Sequence, residues 1–242
     1  MRSAAIFIFG FSLALLMSAW AQQERTVPGA EQSIQSQALE AGAAAVQQRA
    51  PVDAIDIHLS GFHPLKDDPN HQIDAAHFCN QLSEDFAQCV LFDGEGSEAR
   101  MSGIEYIISG QLYATLSPVE REYWHPHNYE ILSGQLVAPG LPAAAEKRLM
   151  QAKMNSYGKT WHTWMADPAD PAQMPVGEAR LAWSFNHDGE ARPELIAERD
   201  RRLGIDTAAT RARRTDLAPL VQPQAGADAL RGQFPSTPRG SR

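Results

Sequence analysis

The sequence predicts an α+β fold: a single domain with an antiparallel or mixed sheet, interspersed helices and flexible tails. The 242-residue chain suits one domain plus tails, since domains commonly span about 100–200 residues. Segments with strand-like alternation and segments with helical spacing follow one another without the strict βα alternation of a parallel sheet. We divide the chain into a signal peptide (1–21), an N-terminal leader or helix (22–51), a domain (52–205) and a basic, largely disordered C-terminal tail (206–242).

The first 21 residues have the features of a secretory signal peptide. Arg2 gives a positive start, an almost continuous apolar run covers residues 4–17, and Ala19-Trp20-Ala21 supplies the small-x-small cleavage pattern. The apolar run is shorter than the roughly 20 residues of a membrane-spanning helix, although an uncleaved anchor is the alternative. We therefore expect a protein that is exported to the periplasm or secreted, cleaved near Ala21, with no transmembrane segment in the mature chain.

Local patterns predict the order of the elements. Residues 28–49 predict a surface helix, and alternation of apolar and polar residues predicts a strand that begins at Val52. Ser117-Pro118-Val119-Glu120 predicts a helix start, with a serine cap, a proline at the first position and a glutamate three residues after the cap. Helical spacing predicts further helices over 70–82, 142–157 (ended by Gly158) and 193–203, and strands are predicted over 88–92, 104–108, 129–137, 160–165 and 181–187.

Charge limits the range of partners. The formal net charge is −8 and becomes −9 once the predicted signal peptide, with its single arginine, is removed. An acidic protein is a poor match for nucleic acid, which rewards basic faces. The segment from Arg199 to Arg242 reverses this balance with nine arginines against four aspartates. We expect this basic run to be solvated rather than bound to an anionic partner.

Cys79 and Cys89 are the two cysteines of the chain. In an oxidising compartment they could form a disulfide that closes a short loop. The alternative is two buried free thiols, because cysteine is also a small hydrophobic residue. Both remain open at this stage, since pairing depends on a Cα separation that sequence does not show.

Residues 123–130 are the densest group of metal-binding side chains in the chain. Pro126 favours an extended backbone, in which His125 and His127 project to one face and form a two-nitrogen clamp for zinc, iron, manganese or copper. His77 on its predicted helix, Glu105 on its strand and His162 are the candidates to complete the site. The alternative is a set of hydrogen-bonded, partly buried histidines that bind no metal.

Aromatic residues gather around the same two histidine segments. They could line an apolar pocket with a few polar anchors, which is the usual character of a ligand site, or they could be ordinary core. The residues we assign to this ligand-binding group are Tyr123, Trp124, Tyr129, Trp161 and Trp164.

Motifs of known catalytic mechanisms do not account for these residues. The chain has no Gly-x-Ser-x-Gly elbow, no phosphate-binding glycine-rich loop and no Cys-x-x-Cys pair. The run from His125 to Gly134 looks like a compressed cupin motif, but the glutamate and glycine come too early, and the second histidine motif of cupins does not follow. We therefore assign no catalytic residue and expect a binding role rather than an enzymatic one.

Several segments together resemble the oil-body-associated protein family, which is known from plant seeds and also occurs in fungi and bacteria. The resemblance extends over roughly residues 52–205, and it implies a lipid-surface or lipid-handling role without a reaction or cofactor. The predicted export signal departs from the plant pattern. The matching segments are Gly61-Phe62-His63, Ala76-His77-Phe78-Cys79, Gln88-Cys89-Val90, Glu105-Tyr106-Ile107, Trp124-His125-x-His127-x-Tyr129-Glu130, Ser133-Gly134, Pro139-Gly140-x-Pro142-Ala143, Tyr157-Gly158-Lys159-Thr160-x-His162-x-Trp164 and Arg199-Asp200-x-Arg202-x-Gly204.

Two functions follow from the sequence. The first is non-enzymatic binding of a hydrophobic or amphipathic small ligand, or of a lipid surface, through the aromatic group. The second is metal binding, or catalysis by a metal, at a site centred on His125 and His127. A third interpretation is that the histidines only stabilise the fold. The sequence does not identify a substrate or an oligomeric state.

Overall fold

The computed structural model describes residues 30–165 and 174–234. The predicted signal peptide lies outside the described residues, as does the end of the tail. The strands are β1 (Ile57–Leu65), β2 (Asp68–Ser83), β3 (Phe86–Phe92), β4 (Met101–Ile108), β5 (His125–Pro126), β6 (Tyr157–His162) and β7 (Arg180–Leu181). The helices are α1 (Ile34–Val46), α2 (Ala50–Asp53), α3 (Gly110–Thr115), α4 (Pro118–Arg121), α5 (Asn128–Ser133), α6 (Ala143–Lys153), α7 (Pro193–Leu203), α8 (Thr207–Arg213) and a 3₁₀ helix (Thr215–Leu220).

One antiparallel sheet organises the domain. Its strands follow the order β1-β2-β3-β4-β6-β5, and β7 also pairs with β6. The sheet is curled, so that the end of β1 meets the segment around β7. There the Trp183 amide donates to the Pro64 carbonyl at 2.8 Å, and the Lys66 amide donates to the Leu181 carbonyl at 2.9 Å. Helices accompany this single sheet, so the predicted α+β class is confirmed.

The main apolar core lies between the concave face of the sheet and the helices that cover it. Strands β1 to β3 contribute Leu59, Cys79 and Leu91, and these pack with Ile131 of α5 and Met150 of α6. Burial of a large aliphatic side chain contributes about 1.5–3 kcal/mol, so this cluster holds α5 and α6 against the sheet. By contrast, no residue of α1 is buried. Among the described helices, none has the length and apolar character needed to cross a membrane.

Four of the predicted helices are confirmed. The surface helix predicted over 28–49 corresponds to α1. Ser117 caps α4, its side chain accepting a hydrogen bond from the Glu120 amide at 3.3 Å. The predicted helices over 142–157 and 193–203 correspond to α6 and α7. Of the predicted strand over 181–187, only the first residue belongs to a strand, in β7.

The predicted helix over 70–82 is wrong. These residues belong to the sixteen-residue strand β2, which pairs with β1 on one side and β3 on the other. Helical spacing misled because β2 is covered on both faces: Ala75, Ala76 and His77 are consecutive and all buried. A strand buried on both faces loses the alternation that identifies a strand in sequence.

Two neighbouring predictions are also wrong. The predicted strand over 129–137 begins as helix α5, which Gly134 ends in the left-handed conformation at φ 79°. A short apolar run does not distinguish a strand from a buried helical turn. Gly158, predicted as a helix C-cap, instead lies inside β6. Helix α6 ends earlier, and Asn155 takes the positive φ of 64° in the connection.

The structure differs from the predicted disordered tail over residues 206–234. This segment contains α8 and the 3₁₀ helix, and it buries Leu217 and Leu230. Arg214 is buried as well; its guanidinium donates to the carbonyl oxygens of Ile131 and Leu136 and pairs with Glu146. High arginine content suggested solvation, yet these arginine contacts and apolar anchors attach the segment to the domain.

Cys79 and Cys89 form a disulfide. They are directly opposite each other on β2 and β3, with a Cα–Cα distance of 4.0 Å. The structure therefore decides between the two alternatives that the sequence left open. The bridge joins neighbouring strands, and both cysteines are part of the main core.

We expect reduction of this disulfide to lower the free energy of unfolding by about 2–3 kcal/mol, because the unfolded chain regains the entropy of a short loop. Urea denaturation with and without dithiothreitol measures the change. The Cys79→Ala/Cys89→Ala double variant is the control, since the reductant should leave its unfolding midpoint unaltered. Alkylation of both thiols in unfolded, unreduced wild-type protein would show that the bridge does not form.

Candidate metal centre

The register of the sheet places histidines from distant parts of the chain on its concave face. Partners in an antiparallel pair project to the same side. His77 is opposite Leu59 and Leu91, two residues of the main core, so its ring points inward. Glu105 is opposite the core residue Cys89, and so it points inward too.

The remaining members reach the same interior from other directions. His63 lies four residues after Leu59 on β1 and shares its face. His125 is opposite Gly158 in the short β5–β6 pair, and His127 is the N-cap of α5. Together with His162 at the end of β6, they complete a buried group in which no side chain is more than 3% exposed: His63, His77, Glu105, His125, His127 and His162.

The Glu105 carboxylate is the hub of this group. Its Oε1 atom lies 3.2 Å from His127 Nε2 and 3.6 Å from His125 Nε2. Its Oε2 atom lies 3.0 Å from His77 Nε2 and 3.9 Å from His63 Nε2. His162 touches the hub indirectly, since its Nε2 lies 3.1 Å from His63 Nδ1. The structure thus brings together all five sequence-predicted metal candidates, with His77 on a strand rather than a helix.

The Oε1 side has the geometry of a metal-ligand set. Glu105 Oε1, His125 Nε2 and His127 Nε2 are separated by 3.2, 3.2 and 3.6 Å. With metal–nitrogen bonds of about 2.0–2.1 Å at tetrahedral angles, neighbouring donor atoms lie about 3.3 Å apart. The three observed separations bracket that value. The arrangement can therefore hold one small divalent cation without rearrangement of the backbone.

A hydrogen-bond chain orients His127 for this task. Ser156 Oγ donates to the Lys153 carbonyl at 2.7 Å, so it is left as an acceptor for His127 Nδ1, 2.9 Å away. Nδ1 then carries a ring hydrogen, which leaves Nε2, 3.2 Å from Glu105 Oε1, as the ring atom that can bind a metal. Such a second partner on the non-ligating nitrogen is typical of metal-bound histidine.

Gly158 makes the convergence of these donors sterically feasible. A Cβ atom at this position would lie 2.2 Å from Glu105 Oε1, 2.6 Å from His127 Nε2 and 2.7 Å from His125 Cε1. A side chain at Gly158 would thus overlap Glu105, His127 and His125. The absence of a Cβ explains why the β6 backbone passes so close to the centre.

Burial and mutual interactions set the charges of the group. Burial raises the pKa of the Glu105 carboxyl, but hydrogen bonds from His127 and His77 outweigh it and hold the pKa well below its usual range. Glu105 is therefore an anion. Burial lowers the pKa of His63 well below its usual value, that of His125 to about 3 and that of His162 to about 4. These three rings are neutral at pH 7 and can act as ligands.

Two acidic or basic side chains of the centre were not assigned to the metal site from sequence. His63 had a detectable signal, since the alternation of β1 places it on the same face as Leu59. Glu130 adds a second buried carboxylate, and its donor atoms and those of His125 and His127 lie within 4.8 Å of one another. Burial, followed by the charge of Glu105, raises the pKa of Glu130 well above its usual range. The sequence places Glu130 next to the two histidines, but an extended chain would point it to the other face; its proximity depends on the turn that begins α5 at Asn128.

The structure distributes the five predicted ligand-binding aromatic residues over separate places. Trp124 packs in a small cluster with Tyr113 and Tyr157, whereas the Tyr129 hydroxyl donates to Asp188 at the surface. Trp164 lies beneath Arg100, and Tyr123 neighbours Trp161 with ring centroids 6.1 Å apart. In the described parts of the chain, Trp161 is the member of the five that lines a surface cleft of about 480 Å³.

We predict that the chelator-treated protein loses stability as the pH falls from 6.5 towards 4. In this window the unfolded chain binds protons at His125 and His162, whose pKa values in the folded protein are about 3 and about 4. Because the unfolded state takes up more protons, each such histidine contributes a slope of up to about 1.4 kcal/mol per pH unit. Urea denaturation at successive pH values in EDTA measures the slope.

The His162→Asn variant should show a shallower slope than the wild type. His187→Asn is the matched control, because His187 is partly exposed and pairs with Asp228 away from the centre. Equal slopes for His162→Asn and wild type would contradict this explanation of the pH dependence.

Comparisons with known proteins agree on one family. The family model described as "Protein of unknown function (DUF1264)" matches residues 49–218. The chain is 35% identical to oil body-associated protein 1B of Arabidopsis thaliana over 192 residues. This aligned region covers 79% of each chain. The chain is 34% identical over 196 residues to oil body-associated protein 1A of Zea mays (81% of this chain, 82% of the relative) and 35% identical over 204 residues to protein 2A of Zea mays (83% and 80%).

No solved structure matches the chain. The family match confirms the resemblance seen in the sequence and starts close to the predicted domain boundary, but it ends later, at residue 218, within the 3₁₀ helix. It spans every strand of the sheet and all members of the histidine–glutamate group. On these grounds the chain belongs to the DUF1264 family, together with the plant oil body-associated proteins.

Proposed function

We propose that this protein binds a divalent transition metal through Glu105, His125 and His127. The observation that carries the proposal is the mutual spacing of 3.2–3.6 Å among three buried donor atoms. The spacing fits a tetrahedral ion, and the Ser156 hydrogen bond aims one of the nitrogens. Glu130 is close enough to serve as a further ligand or to balance charge.

The donor set also narrows the metal. It contains imidazole and carboxylate but no thiolate, because the disulfide engages both cysteines of the chain. Two histidines and one carboxylate suit Zn²⁺, Fe²⁺ or Mn²⁺, whereas Cu⁺ prefers softer sulfur ligands. We propose binding of the metal and assign no reaction.

Protein purified without chelator should retain metal, and the His125→Ala/His127→Ala double variant should lose it, because two of the three donors are gone. Elemental analysis after exhaustive dialysis measures the metal content per chain. The His187→Ala variant is the matched control and should keep the wild-type content. Metal-free wild-type protein that also fails to take up Zn²⁺ on reconstitution would exclude the proposal.

A lipid surface is a second candidate partner. The curated relatives are named oil body-associated proteins, which supports a surface role outside the metal centre. Helix α1 offers apolar side chains for such a contact: Ile34, Leu39 and Val46 are exposed, and the helix buries no residue. We also infer export through residues 1–21, which the Cys79–Cys89 disulfide supports because such bonds persist in oxidising compartments.

If α1 contacts lipid, the mature protein should float with phosphatidylcholine-coated triacylglycerol droplets in a sucrose gradient. The Ile34→Ser/Leu39→Ser/Val46→Ser variant should stay with the soluble fraction, because the apolar side chains that enter the lipid are removed. A control with serine at Met101, Val119 and Val176, which are exposed apolar residues outside α1, should still float. Loss of flotation in both variants, or in neither, would argue against a role for α1.

A further inference from the structure

We propose that the centre holds two metal ions bridged by Glu105. The first ion is the one already proposed, at Oε1 with His125 and His127. The second lies at Oε2, with His77 and His63 as its nitrogen ligands. This inference rests on the proposed function, since the bridge requires the first ion.

His77 provides the main evidence for the second ion. Its Nδ1 atom lies 3.0 Å from the Ala75 carbonyl oxygen, which can only accept, so Nδ1 carries the hydrogen. Nε2, 3.0 Å from Glu105 Oε2, is then the ring atom that can bind a metal, and both side chains are 2% exposed. A partner on the non-ligating nitrogen is typical of metal-bound histidine, as Ser156 is for His127 at the first ion.

His63 supplies the second nitrogen on this side. Its Nε2 lies 3.9 Å from Glu105 Oε2, while its Nδ1 is held by His162 Nε2 at 3.1 Å. The hydrogen bond to His162 fixes the ring plane, which is the usual role of a partner on the non-ligating nitrogen. His162 is accordingly a positioning residue rather than a ligand.

The two ligand sets adjoin each other in the buried interior. Donor atoms of His63, Glu105 and His125 all lie within 4.8 Å of one another, although His63 belongs to the second set and His125 to the first. A carboxylate that binds one ion through each oxygen suits the separation of about 3.5–4 Å found in two-metal sites. In this arrangement four of the five buried histidines are ligands of an ion bound to a Glu105 oxygen. The fifth, His162, positions His63.

Metal stoichiometry tests the bridge directly. The full-length mature protein is reconstituted with Zn²⁺, dialysed and analysed for zinc per chain. We expect two ions in the wild type, one in His77→Ala, and two in the control His187→Ala. One ion in the wild type that persists in His77→Ala but is lost in His125→Ala/His127→Ala would overturn the second site and keep the first. No zinc in the wild type would overturn both.

A measurement on wild-type protein keeps the test independent of how the variants fold. The protein is reconstituted with Co²⁺ and examined by X-ray absorption spectroscopy. At two equivalents of cobalt the spectrum should show a cobalt–cobalt distance of about 3.5–4 Å. Below one equivalent this feature should be absent if the two sites fill one after the other. Imidazole scattering without a cobalt–cobalt feature at full loading would overturn the bridged pair.

Discussion

The negative charge buried at Glu105 is the constraint on which the arrangement of this domain depends. An isolated carboxylate in a protein interior costs several kcal/mol unless partners compensate it. Here the partners come from β1 and β2, before Glu105 in the chain, and from β5 and the start of α5, after it. They can converge on one carboxylate only if the sheet curls, so that His63 on β1 reaches His162 on β6.

Two buried arginines hold the segment that carries His127. Arg199 donates to the Gln135 carbonyl at 3.0 Å, and Arg214 donates to the Leu136 carbonyl at 2.9 Å. Both carbonyls belong to the irregular chain after α5, where backbone acceptors lack helical partners. The C-terminal helices thus satisfy the connection that follows α5 and fix the position of His127 at its start. This linkage explains why residues beyond 205 belong to the domain.

The candidate site was predictable to the extent that local geometry decided it. Alternation around Pro126 identified His125 and His127, and strand periodicity identified Glu105. His77 was found although its element was wrong, because it was chosen as a candidate ligand for its imidazole rather than for its secondary structure. His63 was not assigned, since its contact with the group arises from the closure of the curled sheet. Closure depends on long-range hydrogen bonds, for which periodicity in one sequence carries no signal.

The buried centre and the lipid surface suggested by the relatives cannot be the same contact. The donor atoms lie beneath Gly158 and within the curl of the sheet, where a lipid layer has no access. A surface role would instead fall to exposed elements such as α1, which lies outside the residues matched by the family. The family match covers the proposed metal centre but not α1, so the proposed lipid contact lies outside the part of the chain that the family model matches.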